Sequence, residues 1–139
     1  MNNHMEIRFS SLSENEALAR MVISAFLVPM NPSLSIIAEI RTAVSEAVTN
    51  AVVHAYPNDL GEIRMRASLD HDTLMVEIED FGCGIADVTR AMTPFYTTKP
   101  DDERTGIGFA LMQSFMDKVT VTSSTGCGTI VQMRKCLSE

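Results

Sequence analysis

Two alternating runs on either side of Asp70-His71-Asp72 constrain this chain more than any other feature. Ile63, Met65, Ala67 and Leu69 share one face of the first run; Leu74, Val76 and Ile78 share one face of the second. Side chains in a strand point to opposite sides with a period of two, so each run is apolar on one side and polar on the other. Joined by so short a connection, they predict a hairpin-like pair of strands. A one-sided sheet must bury its apolar face against another layer, so the rest of the chain has to supply a cover.

Helical spacing supplies it. Leu18, Met21, Val22, Ala25 and Phe26 recur at helical intervals and predict the buried face of a first helix, opened by a capping-box pattern of Ser13 and Glu16. Pro29 and Pro32 end it. A second helix is expected from about residue 33 to 55. A third, "GIGFALMQSFMD", has Ile107, Leu111, Met112 and Phe115 facing in. Shorter strands are expected at "MEIRF", with Met5, Ile7 and Phe9 on one face, and at "KVTVTSS" and "GTIVQMRK", which meet at the turn "TGCG". Residues 90 to 105 read as a loop. No repeat or linker divides the 139 residues, so a single domain over 1–139 is expected: an α/β two-layer sandwich, with a mixed sheet covered on one face by helices.

Composition excludes some functions. A formal net charge of -7 opposes binding to a nucleic-acid backbone, which needs a basic face. It leaves room for a nucleotide, whose phosphates backbone amides and a metal ion can neutralise locally. No stretch is long and apolar enough to span a bilayer, and "MNNHMEIRF" lacks a secretory pattern, so no membrane association and a cytoplasmic location are expected. Cys83, Cys127 and Cys136 are odd in number and lack metal-ligand spacing; they read as small buried apolar residues in a reducing compartment.

Four stretches carry chemistry. Along the second helix, which ends in "VSEAVTNAVVHAY", Ile37, Ile40, Val44, Val48, Ala51 and Ala55 form one stripe and Glu39, Thr42, Glu46, Thr49 and Asn50 the opposite one. Glu46 and Asn50, one turn apart, suit either a solvated face or the oxygen ligation of a hydrated Mg²⁺. Asp80, in "EDFGCGI", continues the inward-facing series of Leu74, Val76 and Ile78. A carboxylate buried there needs a donor, because an unpaired one costs several kcal/mol. An adenine amino group with Gly82 and Gly84 admitting the base is one solution; a satisfied Asp opening a tight turn is the other. "ERTGIGFALM" sets Gly106 and Gly108 at a helix start, where free N–H groups can meet phosphate. The preceding Thr97, Thr98, Lys99, Arg104 and Thr105 are donors that suit a phosphate lid or a solvated loop. Thr129 shares its face with Val131 and Met133 and points inward if that face is the core.

Taken together and in this order, the Glu/Asn helix, the D-x-G-x-G run and the G-x-G helix start resemble the GHKL ATP-binding superfamily. "SEAVTNAVVHAYPND", "TPFYTTKP" and "ERTGIGFALMQSFMD" narrow the resemblance to the anti-sigma factor serine kinases, most closely those of sporulation. It covers nearly the whole chain and implies the Bergerat fold with ATP held between its layers. It implies Glu46 as general base, Asn50 as Mg²⁺ ligand and Asp80 as partner of the adenine amino group with Thr129 beside it. Gly82, Gly84, Thr98, Lys99, Arg104, Thr105, Gly106, Ile107, Gly108 and Phe109 would line the nucleotide. It further implies a homodimer that binds and inhibits a sigma factor, using Arg20 among its contacts, and that phosphorylates a serine of an anti-anti-sigma protein, with ATP and ADP states acting as a switch. A stress-response kinase of the same family and a non-catalytic nucleotide-gated binding module are the alternatives.

Overall fold

The structure is a computed structural model, and it describes residues 2–57, 59–85, 92 and 108–138. Strand β1 (Asn2–Ser10) leads into helix α1 (Asn15–Leu27), a 3-10 turn (Val28–Met30) and helix α2 (Leu34–Asn50), which runs on as a π turn (Ala51–Ala55). Strands β2 (Glu62–Asp70) and β3 (Thr73–Asp80) follow, then helix α3 (Gly108–Phe115), β4 (Lys118–Ser123) and β5 (Thr129–Cys136). The five strands form one sheet in the order β1-β2-β3-β5-β4.

The hairpin forms as its alternation predicts. Asp70 pairs with Thr73, leaving a two-residue turn in which His71 takes the left-handed φ of 58°. Ile63, Met65, Ala67, Leu69, Leu74, Val76 and Ile78 are all buried. The sheet, expected to be mixed, has only antiparallel pairings among the described strands. β3 and β4 do point the same way, as a helical crossover through α3 requires, but β5 lies between them and pairs antiparallel with each.

The other face of the sheet is polar. Arg64 reaches Glu6 and Glu79, and Arg66 reaches Glu77, which also takes a hydrogen bond from Gln132. Such cross-strand pairs favour this register, because a slip of one residue would turn the charges into the core.

Helix α2 is the centre of the cover. Ser33 caps it, its Oγ accepting from the Ile36 N–H at 3.2 Å. Ile40, Val44 and Val48 are fully buried, each worth roughly 1.5–3 kcal/mol of transfer from water. α1 and α3 pack against its two flanks, so the opposite stripe is divided rather than solvated. Thr49 turns toward α1, where its hydroxyl donates to Glu16 at 3.0 Å, and Ser45 donates to the same carboxylate. Glu39 instead binds Lys135, a buried lysine of β5 that also caps the Phe115 carbonyl at the end of α3.

Helix α1 is rotated from its expected setting. Ala19, Ile23 and Leu27 are buried, Val22 and Phe26 half-buried, while Leu18 and Met21 are exposed, Met21 at 69%. Apolar residues surround this helix, so spacing fits two faces and packing selects one. The capping box is also absent: Glu16 is drawn to Ser45 and Thr49, and Ser13 donates to Glu14 instead. In α3 the buried residues are Gly108, Phe109 and Met112, while Leu111 and Phe115 are half-buried; Ile107 lies outside the described residues. Cys83 and Cys127 are exposed and Cys136 half-buried, because the first two sit on loops and the third on the outward side of β5.

Candidate functional site

Glu46 and Asn50 leave α2 on the flank opposite Ser45 and Thr49 and face the first residue of α3. The contact there is close. A Cβ built on Gly108 would lie 3.1 Å from Glu46 Oε2, 3.2 Å from Asn50 Nδ2 and 3.3 Å from Asn50 Oδ1. Only a residue without a side chain brings the helix start so near to this carboxylate and amide. The structure thus joins two motifs separated by more than fifty residues of sequence. Both side chains are half-buried, and Gly108 is buried.

Just after Asn50 the backbone changes from α to π hydrogen bonding over Ala51–Ala55. A π turn adds a residue to the turn and re-aims the chain beyond it, a geometry frequent at functional sites. Here it presents two carbonyls to the D-x-G-x-G loop: Ala55 O accepts from the Cys83 N–H at 3.1 Å, and His54 O accepts from the Cys83 thiol at 3.1 Å. The Glu46–Asn50 helix and the Asp80 loop are therefore docked on each other.

Asp80 closes β3 on the core side, 7% exposed. Its Oδ1 accepts from the Gly82 N–H at 3.0 Å. Burial pushes the carboxyl up to about 6, while the backbone hydrogen bonds of Gly82 and Thr129 pull the other way. A carboxyl at that balance gains from any further donor supplied to it. Gly84 turns the loop with a φ of 75°, and a side chain there would meet the Ser124 carbonyl at 2.0 Å.

Thr129 lies opposite Asp80 on β5 and is buried, as its shared face with Val131 and Met133 predicted. Its Oγ1 is 2.8 Å from Ser123 Oγ. Ser123 gives its one proton to the Gly128 carbonyl at 2.8 Å and accepts from the Ile85 N–H at 2.7 Å. The Thr129 hydroxyl accordingly donates to Ser123, and its oxygen remains an acceptor.

The structure therefore gathers Glu46, Asn50 and Gly108 at one place, with Phe109 buried behind them, and Asp80, Gly82, Gly84 and Thr129 at another, bridged by the π turn. Thr98, Lys99, Arg104, Thr105, Gly106 and Ile107 lie outside the described residues. Arg20, expected among the partner contacts, is half-buried on α1, with Nε 3.9 Å from Glu16 Oε1. Two supporting residues escaped the sequence reading, and a third was read in another role. Ser123 had a signal, since it continues the two-residue count of Val119 and Val121. Tyr56, whose hydroxyl bonds the Phe81 N–H and the Glu62 carbonyl, had none, and Glu16, read as a capping-box residue, serves Ser45 and Thr49 of another element.

Among the described residues no group of three His, Cys, Asp or Glu side chains is placed to hold a metal, and no helix is long and apolar enough to cross a membrane.

Comparison with known proteins identifies the family and the fold. The profile of the histidine kinase-like ATPase domain matches residues 9–135. A relative from Caldanaerobacter subterraneus subsp. tengcongensis, called Anti-sigma F factor, is 48% identical over 138 residues, covering 99% of this chain and 96% of its own. A crystal structure of the RsbU and RsbW domains of a Mycobacterium tuberculosis protein superposes with a TM-score of 0.71 at 20% identity, over 99% of this chain and 32% of the other. The catalytic domain of the histidine kinase ThkA superposes with a TM-score of 0.59 at 15% identity, over 96% of each chain.

Proposed function

The chain belongs to the histidine kinase-like ATPase family, among relatives called anti-sigma F factors, and from that premise we propose that it is an anti-sigma factor that is also an ATP- and Mg²⁺-dependent serine protein kinase. It binds and inhibits a sporulation sigma factor, and it phosphorylates a serine of the anti-anti-sigma protein that opposes it. The observation that carries the reading is the seating of Gly108 against Glu46 and Asn50, which places a helix start beside a carboxylate and an amide.

The residues fit such a nucleotide at both ends. At one, the buried carboxyl of Asp80 and the acceptor oxygen of Thr129 suit an amino group on a purine edge. At the other, the absence of a side chain at Gly108 brings the helix start against Glu46 and Asn50. Asn50 offers the amide oxygen that a hydrated Mg²⁺ accepts as a ligand. The bound nucleotide with its metal supplies the transferable phosphoryl group and neutralises its charge.

The chain's own residues do the rest. Glu46 orients the incoming serine hydroxyl and takes its proton as general base. Asp80 fixes the purine by accepting from its amino group, with Gly82 and Gly84 shaping the loop. Phe109, buried next to Gly108 in the chain, keeps the nucleotide-lining role the resemblance gives it. Thr98, Lys99, Arg104, Thr105, Gly106 and Ile107 keep the phosphate-side roles the resemblance gives them. Arg20, on α1, contributes to partner contact, and the working unit is a homodimer.

The test is incubation with γ-labelled ATP, Mg²⁺ and a candidate anti-anti-sigma protein, with Glu46→Gln alongside. Serine labelling by the parent protein and none by a variant that still binds ATP is the expected result. ATP binding without labelling of any serine by the parent would leave a nucleotide-gated binding module.

A further inference from the structure

The β2–β3 ladder stops one rung early, and a side chain from outside the sheet sits in the gap. Its last pair is Ile63 with Asp80. The next rung would set Glu62 against Phe81. Instead the Tyr56 hydroxyl lies between them: it accepts from the Phe81 N–H at 2.7 Å and donates to the Glu62 carbonyl at 2.8 Å. Both backbone groups stay satisfied, but the strands are wedged apart by one oxygen atom directly after Asp80.

Everything around the wedge is fixed. The π turn ends at Tyr56 and delivers its ring. The ring rests on Gly61, where an added Cβ would lie 2.2 Å from it. Gly61 is itself tied to Ser11, its N–H donating to Ser11 Oγ and its carbonyl accepting from the Ser11 N–H, each at 2.9 Å. Burial raises the Tyr56 hydroxyl above its ordinary value, so it keeps its proton and its donation to Glu62 at neutral pH.

We propose that Tyr56 is a positioning residue for purine selectivity: by occupying the Glu62–Phe81 rung it forces the chain out of the sheet after Asp80 and aims the Asp80 carboxylate and the Gly82 N–H that holds it. Without the hydroxyl, Phe81 can pair directly with Glu62, which would draw Phe81 and Gly82 toward β2 and turn the carboxylate away from the base edge. This rests on the nucleotide-binding reading given above.

The experiment compares ATP with inosine triphosphate, which carries a carbonyl where ATP has its amino group, using equilibrium binding to the full chain. The parent protein is expected to prefer ATP. Tyr56→Phe keeps the ring and removes only the hydroxyl; it is expected to shrink that preference about tenfold, equivalent to ~1.4 kcal/mol, while inosine triphosphate affinity changes little. A merely structural role for Tyr56 would lower both affinities together and leave their ratio unchanged, and that result would overturn the proposal. A parent protein that binds both nucleotides alike would overturn the Asp80 reading itself, and this proposal with it. Should Tyr56→Phe fail to fold, the ratio is read on the chain carrying difluorotyrosine at position 56, whose more acidic hydroxyl loses its proton, and its donation to Glu62, as pH is raised. The ratio is then expected to fall with that ionisation, and a flat ratio would overturn the proposal.

Discussion

Asp80 is held in the fold at a cost, and Asp80→Asn should expose it. The carboxyl moves from an ordinary 3.8 to about 6 on folding. At ~1.36 kcal/mol per pH unit, that difference of 2.2 corresponds to about 3 kcal/mol of folding stability. The sign depends on which state holds the proton. Below about pH 4 both states are protonated and the cost is absent. Between about pH 4 and 6 the unfolded chain ionises while the native one does not, so stability falls as pH rises. Above about pH 6 both are ionised and the full cost remains. An asparagine has no such cost, and its side-chain oxygen can still accept from the Gly82 N–H. Its amino group, placed where acceptors are wanted, takes back about 1–2 kcal/mol. The variant should therefore be more stable than the parent by about 1–2 kcal/mol at pH 7.5 and less stable by about 1 kcal/mol at pH 4, where little of the burial cost is left to offset the misplaced amino group, while losing its preference for ATP. Urea unfolding across pH 4 to 7.5 measures this directly, because the difference between the two proteins cancels every other titrating group. A difference that does not change with pH, or a variant less stable at pH 7.5, would show that Asp80 is not strained by burial and would refute the argument.

Two other substitutions test the architecture. Gly108→Ala adds a methyl group 3.1–3.3 Å from Glu46 and Asn50, and neighbours that retreat by a few tenths of an ångström should slow phosphoryl transfer about tenfold, with unfolding by urea unchanged or shifted to higher concentration by better helix propensity. A rate within twofold of the parent would place the reacting groups elsewhere. Lys135→Met keeps the apolar stem but removes the bonds to Glu39 and to the Phe115 carbonyl. Because Glu39 is partly solvated, a loss of about 1–3 kcal/mol is expected in thermal or urea unfolding, and an unchanged stability would mean that α3 needs no such cap.

The legible parts of this protein are those in which one element decides its own neighbours. Alternation gave the β2–β3 hairpin and the inward Asp80 and Thr129, because a period of two leaves a strand only two choices. The Glu46–Asn50 spacing survived for a similar reason, since one turn of helix keeps the pair together wherever it faces. What spacing could not settle was where an all-round apolar helix turns its face. In α1 both Leu18–Met21 and Ala19–Ile23 fit the period, and the packing of α1 beside α2 chose the second. Nor could it foresee that Glu16 would serve α2 instead of its own helix end, since the hydroxyls it meets are 29 and 33 residues away. The antiparallel sheet belongs to the same class, because the insertion of β5 between β3 and β4 is a choice of topology that no local pattern encodes.

That insertion also sets an order of events. A ribosome releases β4 before β5, yet among the described strands β4 pairs with the sheet only through β5. Until the segment Thr129–Cys136 emerges, β3 has an open edge, β4 has no strand to lie on, and Asp80 faces no Thr129. Assembly must then proceed by long-range pairing, which is slow compared with local contacts. A nascent chain halted before Thr129 would hold its Glu46–Asn50 helix and would still lack the strand that sets Thr129 opposite Asp80. For this protein, recognition of a nucleotide is a property of the finished chain, and ligand-induced protection from proteolysis should begin only when β5 has been threaded into place.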